Sequence, residues 1–102
     1  LMKTADSGFV LILHGVEDYP TWKAIFTNAA AMRHAAGEID YQLLADEAEG
    51  RKIVHFSRWR SLGAAREFFE SEALVEIRRR AGVHAPEFHY LREIERDVLG
   101  GG

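Results

Sequence analysis

An imidazole can gain or lose a proton near neutral pH, and this chain carries five histidines but no cysteine. His14 follows directly on the apolar run Phe9 to Leu13, where an imidazole turned into a pocket would serve as a general base. His55 shares the parity of Ser57 and Trp59, and from that face it could polarise a carbonyl or orient a second acid–base group. Tyr41, on the neighbouring hairpin segment, could donate its phenolic hydrogen to a developing oxyanion. These three are the candidate catalytic residues. Trp59 could stack on a planar substrate, Trp22 and Phe26 could wall it, and His89 could line the same space. Each position also has an ordinary structural use. A histidine can be satisfied by one hydrogen bond, a tyrosine can be half of a cross-strand pair, and aromatic side chains anchor cores.

Other chemistries find no support. His14, His55 and His89 fall on three separate segments, with no His-x-x-x-His, no cysteine and no carboxylate at ligand spacing, so neither a metal nor a cofactor is expected. The lack of cysteine removes disulfides and thiolate nucleophiles and fits a reducing, cytoplasmic compartment. A net charge of −3 offers no general basic footprint for nucleic acid. Arg78, Arg79 and Arg80 form the one basic run and read as a solvated helix end, where cations complement the dipole. Gly63 and Gly82 are isolated and make no phosphate cradle, and no Gly-x-Ser-x-Gly phrase marks a serine nucleophile. Phe9 to Leu13 is far short of the roughly 20 apolar residues that span a bilayer, and no charged-then-apolar leader opens the sequence. No nucleic acid or membrane partner is expected.

The elements that must hold the candidates follow from periodicity. Residues 8–16 read as a strand apolar on both parities, which means that both of its faces are covered. Asp18, Tyr19 and Pro20 start a helix that Gly37 stops. Trp22, Ile25, Phe26, Ala29 and Met32 form its inward stripe, with Lys23, Asn28 and Arg33 on the wetter side. Residues 38–45 are a second strand with Ile39, Tyr41 and Leu43 on one face. The acidic stretch 46–51 is a hairpin loop, and 52–59 is the third strand. Ser61 and Ser71 cap two helical segments, the first with Leu62, Ala65, Phe68 and Phe69 inward, the second with Leu74, Val75 and Ile77 inward and ending near Gly82. Pro86 opens a last strand over 87–94, on which His89 and Tyr90 take opposite faces.

The order β-α-β-β-α-β predicts a ferredoxin-like α+β domain, an antiparallel sheet with its helices on one face. With 102 residues, 47% hydrophobic and 28% charged, the chain has the length and composition of one globular domain. We place that domain at 8–97, with a loose N-terminal segment over 1–7, in which Leu1 ahead of Met2 reads as an appended residue, and a flexible, glycine-ended tail over 98–102. Two helical layers cover one side of the sheet, yet the first strand is apolar on both. The simplest cover for the bare side is a second copy, sheet against sheet, giving a homodimeric α/β barrel.

Two phrases resemble a known family. His14-Gly15-Val16-Glu17-Asp18-Tyr19-Pro20-Thr21-Trp22 is similar to a His-x-Val-x-Asp-Tyr-x-x-Trp signature of small proteins in the dimeric α/β-barrel superfamily that holds the antibiotic-biosynthesis-monooxygenase-like domains. Phe56-Ser57-Arg58-Trp59-Arg60-Ser61, followed by Phe68, Phe69, Glu70 and Ser71, resembles that family's strand ending in Trp and the paired helices after it. The resemblance spans residues 8–96. It implies a pocket between the sheet and its own helices, faced by His14 and Trp59, and a cofactor-independent monooxygenase acting on a hydrophobic aromatic or polyketide-like small molecule. Polyketide cyclase or isomerase chemistry shares the same first proton transfer, and a non-catalytic dimeric ligand-binding or interaction module is the remaining alternative. Heme-degrading members carry Asn where this chain has His14, and a helix His where it has Phe68, Phe69 and Glu70, so heme degradation is not implied.

Overall fold

On the first strand Val10, Ile12, His14 and Val16 alternate with Phe9, Leu11, Leu13 and Gly15, and the computed structural model shows what each parity meets. It describes residues 7–100. The expected loose N-terminal segment lies outside the described residues but for Ser7, as do the last two residues of the expected tail. The strands are β1 (Gly8–Val16), β2 (Glu38–Ala45), β3 (Lys52–Trp59) and β4 (Val83–Leu91). The helices are α1 (Tyr19–Asn28), α2 (Ala30–Ala36), α3 (Leu62–Phe69) and α4 (Glu72–Arg80). All pairings are antiparallel and the sheet order is β2-β3-β1-β4. This is the ferredoxin-like α+β arrangement, each crossover being two helices in succession.

Asp18, Ser61 and Ser71 cap α1, α3 and α4, each side chain accepting a backbone N–H three residues on. Beneath the helices lie two apolar clusters. Val10, Ile12, Trp59, Leu62, Ala65 and Phe69 pack under α3, while Val16, Trp22, Phe26, Ile53 and Ala81 pack under α1. The helix-facing parity of β1 is fully buried and the other parity half-buried. Among the described residues no helix is long and apolar enough to cross a membrane.

Four expectations need correction, and each has a local cause. The first helix is interrupted at Ala29, which lies outside helical geometry (φ −90°, ψ 3°). The turn after the break carries Arg33 inward, 4% exposed, and leaves Met32 42% exposed, the reverse of the expected stripe. On β2 the register slips between Glu38 and Asp40, so Ile39 is an extra residue. Glu38 is thereby buried beside Tyr41's face and Ile39 is left exposed. Val75 is exposed on α4, because Leu74 alone is buried there. The last strand starts at Val83 and ends at Leu91 rather than running 87–94. Pro86 is tolerated inside it because β4 is an edge strand.

Gly37 is a position that the fold needs as glycine. It ends α2 at φ +129°, and a Cβ there would sit 3.4 Å from the Trp59 ring. Trp59 itself is fully buried, and its indole N–H donates to Ser57 Oγ at 2.9 Å. Trp59→Ala is expected to cost about 3–5 kcal/mol of stability, read as a lowered urea midpoint with unchanged slope.

Candidate active site

The middle of the helix-facing sheet surface, between the two apolar clusters, is where polar side chains enter. Residues alternating along β1 put His14 between Ile12 and Val16, and alternation along β3 puts His55 between Ile53 and Ser57. In the β1–β3 register Ile12 pairs with His55 and His14 with Ile53. The two imidazoles are therefore diagonal neighbours on one face, with α-carbons roughly 7 Å apart. Both are buried, at 8% and 4% exposure. Together with Trp22, Phe26, Arg33 and Arg78 they line a cavity of about 70 Å³ between the sheet, α1, α2, α3 and α4.

His14 sits where β4 bulges away. Leu13 pairs with Glu87 and Gly15 with His84, so Ala85 and Pro86 together oppose the single residue His14. Ala85 takes the left-handed backbone, φ 44°. The His14 ring tilts against Trp22 at 5.2 Å between centroids. Its Nδ1–H donates to the Gly15 carbonyl at 3.3 Å, which leaves Nε2 with its lone pair. Burial holds the His14 pKa below the ordinary histidine value, and the nearby His55 and Arg78 add to that, against the opposing Gly15 bond. The side chain is thus a neutral base at physiological pH.

His55 is held differently. Its Nε2 donates to Glu38 Oε2 at 2.8 Å, and Glu38 Oε1 accepts from Arg33 Nε at 2.6 Å. Arg33 Nη1 also donates to the Phe26 carbonyl at 2.6 Å, and its guanidinium lies 3.7 Å above the Phe26 ring. Removal of the Glu38 carboxylate from water would raise its pKa. The hydrogen bonds and positive partners at His55 and Arg33 outweigh that and hold it below the usual glutamate value. Phe26, Tyr41 and Phe69 all present edges or faces at right angles to His55, so its plane is fixed on three sides.

Arg78 behaves unlike its neighbours in the basic run. Arg79 and Arg80 both pair with Glu76. Arg78 turns back over Phe88, 4.9 Å from the ring centroid. Its Nη1 is buried and finds no hydrogen-bond partner among the described residues. Burial pulls its pKa down from the ordinary arginine value. The reading of 78–80 as a solvated helix end is therefore right for Arg79 and Arg80 and wrong for Arg78.

Of the expected site residues, His14, His55, Trp22 and Phe26 line the cavity. Tyr41 stands behind it, 48% exposed, its ring meeting Phe26 and His55 edge-on. Trp59 lies outside it, in the α3 cluster between Phe68 and Phe69. His89 takes the opposite face of the sheet, because Phe88 and Tyr90 fill the helix side of β4. Among the described residues no group of three His, Cys, Asp or Glu comes together that could hold a metal ion. Arg33, Glu38 and Arg78 are the site residues that sequence reasoning missed. A signal existed for Arg33, which continues the spacing Trp22, Phe26, Ala29 by one more turn.

Glu38→Gln leaves Arg33 buried without its counter-charge and is expected to lower stability by about 3 kcal/mol. The depressed Glu38 pKa contributes stability that is complete above the unfolded glutamate value and is lost as pH falls through the lower folded value. Urea midpoints measured from pH 7 down to pH 3 should show that acid limb in the parent and a flatter one in Glu38→Gln.

Comparison with known proteins places this geometry. The family model for the antibiotic biosynthesis monooxygenase domain matches residues 19–80, from the first turn of α1 to the end of α4. The crystal structure of SnoaB, a cofactor-independent oxygenase from Streptomyces nogalater, superposes with a TM-score of 0.69 at 17% identity, covering 92% of this chain and 97% of that one. A conserved protein from Methanosarcina mazei Go1 superposes with a TM-score of 0.69 at 14% identity, over 91% and 98% of the two chains. A candidate antibiotic biosynthesis monooxygenase from Caulobacter crescentus CB15 gives 0.68 at 18% identity, over 92% and 95%. No functionally curated protein matches the chain. At these identities the superpositions speak for the fold, and the family match over more than half of its length means that this chain belongs to the antibiotic biosynthesis monooxygenase family.

Proposed function

We propose that the chain is a small cofactor-independent monooxygenase acting on a hydrophobic aromatic substrate with an acidic hydrogen. The observation that carries this reading is a neutral histidine with a free ring nitrogen, buried in an aromatic-lined cavity beside an unpaired cation. SnoaB, the structural relative described as a cofactor-independent oxygenase, supports the same class.

For a phenol the steps balance with dioxygen as the sole oxidant. His14 Nε2 takes the hydroxyl proton. The electron-rich ring carbon para to the oxygen adds dioxygen, and the proton returned by His14 gives a ring hydroperoxide. Loss of water leaves a quinone, one oxygen atom in the product and one in the water. His55, with its Nε2–H committed to Glu38, is the second polar group on the cavity wall. Trp22, Phe26 and Phe69 keep water from the anion, which strengthens each charge interaction within. A cyclase or isomerase would use the same base and differ in consuming no oxygen.

The dimer belongs to this reading. Phe9, Leu11, Leu13, Val54 and Phe56 form a continuous half-buried surface on the open side of the sheet, with Phe9 and Phe56 stacked at 5.4 Å. Leu44 and Leu91 extend it at 48% and 40% exposure. A second copy laid on this face covers it, as an apolar patch of this extent requires.

An oxygen electrode, run over a panel of one- and two-ring phenols and hydroquinones, should record uptake above autoxidation for at least one member. His14→Ala should lower kcat/KM for that compound by roughly 100-fold or more. Because only neutral His14 can accept the proton, the rate should rise with pH through a limb below the ordinary histidine value and then level off. Uptake unaffected by His14→Ala would end this mechanism. For the dimer, Phe56→Glu should halve the mass seen by light scattering at micromolar concentration, and a parent that is already monomeric would end that part of the proposal.

A further inference from the structure

The least explained group in the molecule is Arg78. Of the three consecutive arginines it is the one without an ion pair among the described residues, and it lines the cavity that holds His14 and His55. A guanidinium in that position carries a full charge and has five N–H donors to satisfy. Its neighbours leave it unsatisfied: Phe88 supplies a ring face at 4.9 Å, and although the Tyr90 hydroxyl lies within electrostatic reach, that oxygen and Arg78 Nη1 are both buried without a hydrogen bond among the described residues. Nor is there spare negative charge close by. Glu38 is already shared between Arg33 and His55, and Glu76 between Arg79 and Arg80. A buried donor without a partner costs free energy, more so when charged, and a ligand oxygen that satisfied it would recover that cost.

The shape of the space restricts what brings the oxygen. The inner cavity of about 70 Å³ is well below the 150 Å³ or so that houses a benzene ring. It adjoins an outer recess of about 200 Å³ between α1 and α4, and the two share Ile25, Ala29 and Ile77 as a waist. The inner cavity has room for an acidic oxygen and the near edge of one ring, and the side bounded by Ile25, Ala29 and Ile77 faces the outer recess at Asn28, Met32 and Arg80.

We infer that the site binds a single-ring phenol as its phenolate, with the oxygen anion held by Arg78 beside His14. This rests on the proposed oxygenase reading for its chemistry, but the binding itself depends only on the unpaired cation and the cavity. His14 then removes the proton and Arg78 keeps the anion that results. Arg78 acts as an electrostatic holder and takes no part in the proton transfer.

A probe that separates binding from turnover is 4-nitrophenol, whose nitro group blocks the para carbon and whose phenolate absorbs visible light apart from the phenol. Titrated into the dimer or monomer as it is isolated, it should bind as the phenolate at a pH where the free compound is largely protonated. It should bind at least about tenfold more tightly than the uncharged 4-nitroanisole. Arg78→Met should abolish that preference, and Arg78→Lys should keep part of it, with circular-dichroism melting showing both variants folded. His14→Ala should retain the preference while losing oxygen uptake. Equal affinity for phenolate and anisole in the parent protein would overturn the inference, and that measurement needs no variant. A preference that survives Arg78→Met would overturn it as well. Oxygen uptake on another substrate class with no phenolate binding would sink this inference and leave the oxygenase reading standing.

Discussion

The rest of the site depends on one buried carboxylate. Glu38 joins Arg33 and His55, and all three are at most 5% exposed. Moving such charges out of water costs several kcal/mol each, and only short, well-directed hydrogen bonds offset it. The offsetting bonds at 2.6 and 2.8 Å require three elements to meet at one point: the end of α2, the first residue of β2 and the middle of β3. That requirement accounts for an irregularity in β2. The slip at Ile39 turns Glu38 to the helix side, where Arg33 continues the inward spacing of Trp22, Phe26 and Ala29. Gly37 lies between Arg33 and Glu38, with a φ of +129° that glycine adopts without strain.

The ion triad also sets where the cavity can be. A sheet face packed throughout with aliphatic residues would close over under four helices. Here Val10 and Ile12 on one side, and Val16 and Ile53 on the other, belong to separate clusters, and the strip between them is His14 and His55. The rings of His14, His55, Trp22 and Phe26 leave an opening between them, lined by aromatics and nitrogen atoms. Fixing His55 through Glu38 is what keeps that opening from collapsing, since Phe26, Tyr41 and Phe69 are all arranged around its ring.

Much of this was legible from residue order. The both-sided apolarity of 8–16, the caps at Asp18, Ser61 and Ser71, and the helix stop at Gly37 are local signals, and local chemistry decides them. Strict β-alternation puts His55 on the face of Ser57 and Trp59, and the family resemblance is what adds His14 to that side. What failed depended on partners distant in sequence. Arg33 sits at an inward spacing but reads as solvent-facing by type, because an arginine is rarely buried without a carboxylate, and its carboxylate Glu38 is hidden by the register slip. Trp59 carried a family expectation of facing the pocket, whereas Ser57 two residues earlier captures its indole N–H within the core. Arg78 was indistinguishable by type from Arg79 and Arg80, and only the position of Glu76 on the helix surface separates a paired arginine from a free one.

The two sides of the cavity carry opposite electrostatic assignments, and the contrast has a chemical consequence. The Arg33 charge is paired with Glu38, so that corner is rigid and its arginine has a counter-charge. Arg78 is uncancelled, so the other corner is positive. A positive field next to His14 disfavours its protonated form and so keeps the base available, which is the same sense as the effect of burial. If, as proposed, an acidic hydrogen passes to His14, the sign of the interaction reverses for the substrate, because the new anion is attracted to the cation that had repelled the proton. A site with this charge pattern binds the conjugate base better than the acid and so lowers the substrate's effective pKa toward that of the imidazole. The family fold supplies the frame for this. On the proposed reading, the direction of proton transfer is set by the contrast between buried Arg33, which has a carboxylate partner, and half-buried Arg78, which has none among the described residues.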